Sequence, residues 1–329
     1  MNTDTNKKRA LITGISGQDG SYLSEYLLSL GYEVHGIIRR QSTPENQESR
    51  LDHIADEIHT YYGDVTDRAS IDRIMRDVMP DEIYNLAAQS HVRISFDVPE
   101  FTAQTNALGV LNVLESYRAN CPTAKFYQAS SSEMFGNSVD DDGSQRETTP
   151  MNPVSPYGIA KLFAYHMTRH YRRAYKLHAC NGILFNHESP RRASNFVTNK
   201  VCKAAARIAR GDQGKLWLGN LDSYRDWGHS KDYVRAMHAI INHDEPTEFV
   251  VSTGVTHSIR DLCDVAFKRV GLNYKDYVEQ GPKYMRPEEL KYLKGDSTRT
   301  REILKWTPEY DFKMLIEEMT DAWVISLAK

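Results

Sequence analysis

Tyr157 and Lys161 form the first candidate chemical pair, because they lie four residues apart in the segment Pro156-Tyr157-Gly158-Ile159-Ala160-Lys161. This segment is predicted to open a long helix, and residues four apart share one face of a helix. An unperturbed phenol has a pKa of about 10, and a neighbouring ammonium favours its ionised form, which makes tyrosine a more useful base. The spacing alone is weak evidence, and its position after the fifth predicted strand gives it weight.

Ser130, Ser131, Ser132 and Glu133 lie directly at the end of that fifth strand. The carboxyl ends of parallel strands form the edge of a sheet where ligands bind. These three hydroxyls and one carboxylate are therefore expected to meet the same pocket. The alternative interpretation is a polar surface loop, which is the commoner role of a serine run.

An apolar strand that begins at Ala10 runs directly into Gly14, Gly17 and Gly20. Gly14 suits a tight turn, Gly17 lets the backbone approach a pyrophosphate, and Gly20 lets the next helix pack close to the strand. The phosphates then face the free N–H groups of a helix N-terminus. The spacing predicts a dinucleotide site, and the alternative is an ordinary strand-to-helix turn that carries glycines.

Two arginines indicate which dinucleotide is bound. NAD-binding versions of this unit carry an acidic residue near the end of the second strand, whereas here that strand runs into Arg39 and Arg40. Guanidinium groups suit the 2′-phosphate of NADP, so NADP is the predicted cofactor, with a solvated arginine pair as the alternative. Asp64 follows the third strand, where it can accept from the adenine amino group, and the small residues at 86–89 follow the fourth.

Apolar periodicity predicts strands that alternate with helices, which indicates an α/β fold with a doubly wound parallel sheet of the Rossmann type. After the first strand, the predicted strands span 33–38, 58–62, 82–86, 125–130 and 179–184, and the helices span 22–30, 70–78, 105–118 and 156–175. From residue 186 the pattern changes to a short strand at 217–219 and helices at 196–210, 259–270 and 315–328. We therefore predict an NADP-binding domain at 1–185, to which 226–254 returns, and a smaller mixed α/β substrate domain at 186–329.

Composition excludes several classes of function. The 329 residues carry 41 basic and 44 acidic side chains, so no overall field favours nucleic acid or an anionic membrane. Four cysteines at 121, 180, 202 and 263 lack the spacing of a zinc site and fit reduced thiols, so no metal is expected. The absence of a signal-like or membrane-spanning segment favours a soluble, cytoplasmic protein. Residues 140–144 are acidic and turn-forming, which predicts a solvated loop.

With these residues in view, the chain resembles the extended short-chain dehydrogenase/reductase family and, within it, the GDP-mannose 4,6-dehydratases. The glycine motif and the Tyr-x-x-x-Lys pair are common to the wider family. The stretch Asn186-His187-Glu188-Ser189-Pro190 and the pair Ser132-Glu133 are specific to the dehydratases. The resemblance covers nearly the whole chain, and the matching segments are 13–20, 84–90, 155–158, 182–190 and 225–228.

The resemblance implies a redox-neutral dehydration of GDP-D-mannose to GDP-4-keto-6-deoxy-D-mannose, a step towards GDP-fucose and other deoxysugars. Tyr157, supported by Lys161, takes the proton of the 4-hydroxyl as hydride passes from C4 to NADP⁺. Glu133 removes the acidified C5 proton, the C6 hydroxyl leaves as water with help from Ser132, and the hydride returns to C6. Ser131 stands where the family usually has threonine and keeps the hydroxyl near the 4-hydroxyl.

The resemblance also assigns two sets of binding residues. Those expected to hold the cofactor are Gly14, Gly17, Gln18, Asp19, Gly20, Arg39, Asp64, Val65, Leu86, Ala88, Tyr157, Lys161, His187 and Arg192. Those expected to hold the GDP-sugar are Ser90, Asn186, Val197, Lys200, Leu218, Gly219, Arg225, Arg286 and Glu289. Arg225 and Arg286 suit a diphosphate, and Glu289 suits the ribose hydroxyls.

Two positions depart from the family pattern. Asn199 stands where a basic residue is expected, and Lys291 stands where an acid is usual. Both bear on selectivity for the sugar or the nucleotide. The segment 39–50 matches one that in the family reaches a neighbouring subunit's cofactor, which implies a homotetramer built as a dimer of dimers.

Three alternatives remain open at this stage. The first is a dehydratase of another GDP-sugar, such as a GDP-heptose. The second is a 4-epimerase or a reductase of the same fold, against which Glu133 argues, because these reactions need no base at C5. The third is a non-catalytic NADP sensor, and the retention of both Tyr157 and Lys161 argues against it.

Overall fold

The computed structural model describes residues 7–40, 49–281, 288, 290 and 292–328. The chain forms two compact units that interleave in sequence. The first unit comprises Met1–Glu133, Ser155–Ile183 and Val234–Phe249, and the second comprises Met134–Val154, Leu184–Tyr233 and Val250–Lys329. That residues 1–185 bind the cofactor and residues 186–329 bind the substrate stays a prediction.

Strands and helices alternate through the first two thirds of the chain. In chain order they are β1 (Arg9–Thr13), α1 (Gln18–Ser29), β2 (Glu33–Ile38), β3 (Ile58–Tyr62), α2 (Arg68–Val78), β4 (Glu82–Asn85), α3 (Val92–Asp97), α4 (Pro99–Ala103), α5 (Gly109–Asn120), β5 (Lys125–Ser131), α6 (Pro156–Tyr175) and β6 (His178–Leu184). The remaining elements are β7 (Asn186–Glu188), α7 (Val197–Arg210), β8 (Leu216–Leu218), β9 (Tyr224–His229), α8 (Ser230–Ile241), β10 (Glu248–Val251), β11 (Thr256–Ser258), α9 (Ile259–Arg269), β12 (Val278–Gln280), α10 (Thr298–Leu304) and α11 (Phe312–Ala328).

The largest sheet has seven strands in the order β10-β6-β5-β4-β1-β2-β3. The strands from β5 through β4, β1 and β2 to β3 pair in parallel. From β1, the chain adds β2 and β3 on one side of the sheet, and β4 and β5 follow on the other side. The strand order therefore reverses between β1 and β4. The predicted doubly wound Rossmann-type sheet with a smaller mixed α/β part is confirmed.

Apolar faces at helical spacing hold the helices against this sheet. In α2, Ile71, Ile74, Met75 and Val78 are buried and pack in a cluster with Leu11 of β1 and other core residues. The spacing i, i+3, i+4, i+7 places all four side chains on one face of the helix. Burying them fixes the helix and leaves its opposite face available for polar groups.

The second unit has a core of its own, formed by α7, α9 and α11. The sheet β11-β9-β7 lies with it, and the buried Trp227 of β9 stacks on Phe312 of α11 with ring centroids 5.7 Å apart. Asp226 of β9 accepts hydrogen bonds from the backbone N–H groups of Thr253 and Gly254 at 2.9 and 2.8 Å. Burial raises the pKa of the Asp226 carboxyl to about 6, while these bonds lower it.

Several predicted boundaries are wrong. Helix α1 begins at Gln18 rather than at residue 22, because its first turn lies inside the glycine motif, where apolar periodicity gives no signal. The helix predicted at 105–118 is a π-helical turn at Gln104–Leu108 followed by α5. The acidic loop at 140–144 is exposed at Asp141 and Asp142, as predicted, and Arg146 forms ion pairs with Asp140 and Asp142 at 2.7 and 2.6 Å. No helix in the described parts of the chain is long and apolar enough to cross a membrane.

Gly20→Ala tests whether close packing of α1 on the β1 turn is a requirement of the fold. A Cβ at this position meets the carbonyl oxygens of Gly14 and Ile15 at 2.5 Å, which backbone atoms cannot relieve. We expect a loss of about 1–3 kcal/mol in the free energy of unfolding, measured by urea denaturation. Gly214→Ala is the control, since nothing lies within 4 Å of its added Cβ. Equal stability of the two variants contradicts the packing argument.

Candidate functional site

The loops after β1 and β4 meet at the point where the strand order reverses. Gly14 has φ +71°, and a Cβ there comes within 2.9 Å of the Ala87 backbone. Gly17 is exposed and is the N-cap residue of α1. In open α/β sheets the crevice outside the carboxyl ends of the strands at such a reversal is a ligand site. The predicted roles of Gly14 and Gly20 in the turn and in close packing agree with this geometry.

A chain of hydrogen bonds crosses the ends of three strands in the first unit. The Thr13 hydroxyl of β1 donates to Asn85 Oδ1 of β4 at 2.7 Å. Asn85 Nδ2 donates to Gln128 Oε1 of β5 at 2.8 Å, and Gln128 Nε2 donates to the Ala129 carbonyl at 3.0 Å. Lys161 Nζ donates to the same carbonyl at 2.8 Å. The network therefore joins the β1 turn to α6 through buried side chains.

Our sequence analysis did not identify Thr13, Asn85 and Gln128 as part of the site. The parallel register places them side by side, with Thr13 opposite Asn85 and Asn85 opposite Gln128. Each is a buried polar residue: Thr13 and Asn85 end their strands, and Gln128 lies in the middle of β5. That pattern was the available signal, because a buried polar side chain needs a hydrogen-bond partner.

Lys161 and Tyr157 are neighbours on α6, as the spacing predicts. The Lys161 ammonium lies 5.8 Å from the centroid of the Tyr157 ring, and the residue is only 5% exposed. Burial lowers the pKa of the Lys161 ammonium to about 8, while the Asp19 carboxylate opposes this effect. The ammonium is thus a proton donor that titrates much closer to neutral pH than an exposed lysine does.

Glu133 and its serine neighbours occupy the end of β5 and the 3-10 turn Ser132–Phe135 that follows it. The Ser131 hydroxyl accepts a hydrogen bond from the Glu133 backbone N–H at 3.2 Å, which orients the turn. Ser131, Ser132 and Glu133 are all buried. The prediction that three hydroxyls meet at one pocket is wrong for Ser130, whose hydroxyl donates to Asn181 Oδ1 of β6 at 3.0 Å.

Arg39 and Arg40 line a cleft of about 830 Å³ on the first unit. The cleft also contains Tyr62, Gly63, Asp64, Asp67, Ala69, Ser70, Arg73 and Arg76. The Arg39 guanidinium lies 5.9 Å from the ring centroid of Phe101 of α4. Four guanidinium groups against two carboxylates leave the lining positive, which suits an anionic group.

The other predicted cofactor residues of the first unit lie in the loops and first helical turn at the carboxyl edge. Gln18 and Asp19 form the first turn of α1, with Gln18 Nε2 donating to Asp19 Oδ1 at 3.2 Å. Leu86 and its neighbour Ala87 are tied to β1, because their N–H groups donate to the Thr13 hydroxyl at 3.1 and 3.0 Å. The remaining predicted residues in this region are Asp64 and Val65 after β3, and Ala88 and Ser90 after β4.

In the second unit, β7 carries the predicted residues Asn186 and His187, together with Glu188, which pairs with the predicted residue Arg192. Asn186 Oδ1 is buried and has no hydrogen-bond partner among the described residues, which marks it as a position for a bound polar group. His187 stacks on Tyr233 with ring centroids 4.4 Å apart. Arg192 Nε lies 2.9 Å from Glu188 Oε2, and its guanidinium lies 3.5 Å from the Phe196 ring centroid.

Asn199, at a position where the sequence analysis expects a basic residue, is fixed by two side-chain hydrogen bonds. The side chain is buried, its Nδ2 donates to the Arg192 carbonyl and its Oδ1 accepts from the Trp323 indole N–H. A basic residue at this position places an extra charge in a buried site whose two hydrogen bonds suit an amide. Asn199 therefore links α7 to α11 and supports the segment that carries Arg192.

The remaining predicted substrate residues in the second unit lie on α7, β8 and β9. Lys200 Nζ donates to the Trp217 carbonyl at 2.7 Å, next to Leu218, and burial lowers the pKa of its ammonium. Arg225 is buried, and its guanidinium donates to the Tyr224 carbonyl at 2.8 Å. The other predicted residues here are Val197, the first residue of α7, and Gly219, which follows β8. Arg286, Glu289 and Lys291 lie outside the described residues.

Within the described ranges, no cluster of three His, Cys, Asp or Glu side chains is placed to hold a metal ion. All four cysteines are free and buried. Burial raises the pKa of the Cys121, Cys202 and Cys263 thiols to about 12, so these thiols stay protonated at neutral pH.

Lys161→Met tests the desolvation of the ammonium. An unfolded lysine has a pKa of about 10.4 and the folded one about 8, so the unfolded chain binds more protons between these values and wild-type stability rises with pH there. The variant lacks this cost and is expected to gain about 1–3 kcal/mol in unfolding free energy at pH 7, with the gain shrinking above pH 8.

Urea denaturation at pH 7, 8, 9 and 10 measures this difference. Lys313→Met is the control, because that side chain is 72% exposed. Two results contradict the assignment of a desolvated buried charge. One is a Lys161→Met variant that is less stable than wild type at pH 7, and the other is a gain in unfolding free energy that does not change with pH.

Comparisons with known proteins agree with the Rossmann-type fold described above. A model of the GDP-mannose 4,6 dehydratase family matches residues 11–319. GDP-mannose 4,6 dehydratase 1 of Arabidopsis thaliana is 49% identical over 327 residues, covering 96% of this chain and 89% of that protein. The solved structure of Thermus thermophilus UDP-glucose 4-epimerase in complex with NAD has a TM-score of 0.84 and 24% identity, covering 96% of this chain and 98% of that one.

RMD from Pseudomonas aeruginosa, solved in complex with NADPH, has a TM-score of 0.80 and 23% identity, covering 97% of this chain and all of that one. At such identities the two solved structures share the fold alone. The sequence relatives go further, because both the family match and the Arabidopsis protein span nearly the whole chain. This chain belongs to the GDP-mannose 4,6-dehydratase family.

Proposed function

We propose that this protein is an NADP-dependent lyase that converts GDP-D-mannose to GDP-4-keto-6-deoxy-D-mannose and water. Membership of the family supports the reaction class. The observation that carries the proposal is the buried Lys161 ammonium beside Tyr157, on a helix that contacts β5, the strand that leads into Glu133. A phenol, an ammonium and a carboxylate near one strand end can supply the proton transfers that this dehydration requires.

The first unit suits a bound dinucleotide. Gly17 is exposed at the start of α1, where the backbone can approach a pyrophosphate, and the N-terminus of α1 favours negative charge. The positive cleft at Arg39 and Arg40 suits the 2′-phosphate that distinguishes NADP from NAD. The RMD structure, which contains NADPH, has the same fold. We assign the residues predicted above from Gly14 to Lys161 to this cofactor, together with His187 and Arg192.

When bound, NADP supplies a hydride acceptor that takes the hydrogen from C4 and returns it to C6. Tyr157 accepts the proton of the 4-hydroxyl, and the Lys161 ammonium stabilises the phenolate that does so. Glu133 removes the proton at C5, which the 4-ketone has acidified. Ser132 donates a hydrogen bond to the departing C6 hydroxyl, which takes up the proton that Glu133 removed and leaves as water. Protonation of C5 accompanies the return of hydride to C6 and consumes the proton that Tyr157 removed from the 4-hydroxyl.

The second unit supplies groups for the GDP part of the substrate. The unpartnered Oδ1 of Asn186 suits a hydroxyl or an N–H donor of the ligand. The buried guanidinium of Arg225 suits the diphosphate, and Lys200 adds a cation beside β8. We assign Ser90, Val197, Leu218 and Gly219, and with them Arg286 and Glu289, to the same ligand.

We also propose that the protein works in the cytoplasm as a homotetramer, a dimer of dimers. Exposed apolar side chains on α3, α4 and α6 support an interface on the first unit, and they are Ile94, Val98, Phe101, Ile159 and Phe163. Light scattering on purified protein measures the mass of the assembly. A monomer at micromolar concentration contradicts this part of the proposal.

Purified protein incubated with GDP-mannose, without added NADPH, is expected to form the 4-keto product. Glu133→Gln keeps the shape of the side chain but removes its basicity, so turnover is expected to fall by about 10²–10⁴-fold while NADP and GDP still bind. The product is measured by mass spectrometry and nucleotide binding by calorimetry. Glu57→Gln, on an exposed turn of the same unit, is the control.

Undiminished turnover by Glu133→Gln removes this residue from the mechanism. Product from a GDP-heptose but not from GDP-mannose assigns the enzyme to another GDP-sugar. Absence of product from any GDP-sugar, in protein that binds NADP, supports a non-catalytic sensor and contradicts the proposal.

A further inference from the structure

Arg73 and Arg76 belong to α2, a helix that carries neither the glycine motif nor the Arg39-Arg40 pair. Ala69, Arg73 and Arg76 follow a spacing of i, i+4, i+7, which places them on one face of α2. All three line the same cleft as Arg39 and Arg40. The opposite face of α2 carries its buried apolar residues, so the helix is held with these arginines towards the cleft.

Neighbouring groups position Arg73 and leave it available to a ligand. Arg73 Nη2 donates to the Tyr62 carbonyl at the end of β3 at 3.2 Å, which ties its guanidinium to the rim of the cleft. The carboxylate that pairs with it, Asp77, is distant at 3.9 Å and exposed. A pair of this kind in water contributes little and leaves donors of the guanidinium for another anion.

We infer that Arg73 and Arg76 contribute to selection of NADP over NAD by binding the 2′-phosphate of the cofactor together with Arg39 and Arg40. The inference rests on the proposed use of NADP and adds residues to its phosphate site. A 2′-phosphate carries up to two negative charges and several acceptor oxygens, and one arginine fork cannot satisfy all of them. Four guanidinium groups on two elements surround it with donors.

The consequence is that cofactor preference in this chain is divided between the end of β2 and one face of α2. Asp64 and Asp67 in the same lining accept hydrogen bonds from local backbone N–H groups, Thr66 at 2.9 Å and Ala69 at 3.2 Å. These bonds hold the two carboxylates in their own turns. The arginines then determine the net charge of the cleft lining that a ligand contacts.

The test uses 2′,5′-ADP, which carries the 2′-phosphate, and 5′-AMP, which lacks it, as calorimetric probes of the full-length protein. Wild type is expected to bind 2′,5′-ADP more tightly. The double variant Arg73→Ala/Arg76→Ala is expected to weaken 2′,5′-ADP binding by about 30-fold or more and 5′-AMP binding by less than about 3-fold. Arg73→Lys/Arg76→Lys keeps the charge but loses the planar fork, and its affinity is expected to be intermediate.

Arg68→Ala is the control, because it removes one of the positive charges of the same helix outside the cleft. Its guanidinium instead lies 3.5 Å from Asp72 and 3.6 Å from Glu115, and it does not line the cleft. The inference is overturned if the double variant binds 2′,5′-ADP as tightly as wild type or as Arg68→Ala, or if 5′-AMP affinity falls equally. The proposed dehydration is assayed separately, so its failure with 2′,5′-ADP binding intact leaves this inference standing.

Discussion

The burial of the Lys161 ammonium is the constraint on which the first unit's site depends. A charged amine 5% exposed is costly, and a hydrogen bond to the Ala129 carbonyl compensates only part of that cost. That carbonyl accepts a hydrogen bond from Gln128, Gln128 accepts one from Asn85, and Asn85 accepts one from Thr13. The ends of β1, β4 and β5 are therefore held in register by the network that holds the lysine.

The buried position of Lys161 affects both the stability of the fold and the chemistry of the site. A proton donor with a pKa of about 8, held beside a phenol, is useful to chemistry on a hydroxyl and unfavourable to folding. The apolar cluster around Leu11, Ile83 and Phe126 forms a core of the first unit. The glycine turn after β1 and the serine–glutamate turn after β5 then lie at the carboxyl edge of a rigid sheet, where ligands bind in this fold.

Sequence patterns predict the sheet well and the polar interior poorly. Strands β2 and β3 and helix α6 have the predicted limits. The start of α6 is marked in the sequence by the capping Ser155 and by Pro156. The first turn of α1 and the π-helical turn before α5 have no apolar signature, so their limits are wrong. The roles of Thr13, Asn85 and Gln128 depend on register between strands far apart in sequence, which no local spacing reveals. The partner of Ser130 was missed for the same reason, since Asn181 lies on β6, far from Ser130 in sequence.

The central claim is that one hydrogen leaves C4 of the sugar and returns to C6 of the same molecule while the protein's side chains move only protons. GDP-mannose with deuterium at C4 tests it most directly, with mass spectrometry and NMR of the product. The account predicts deuterium in the new C6 methyl group, without added NADPH and without loss to water. A product with no deuterium at C6, or with the label washed into solvent, contradicts it.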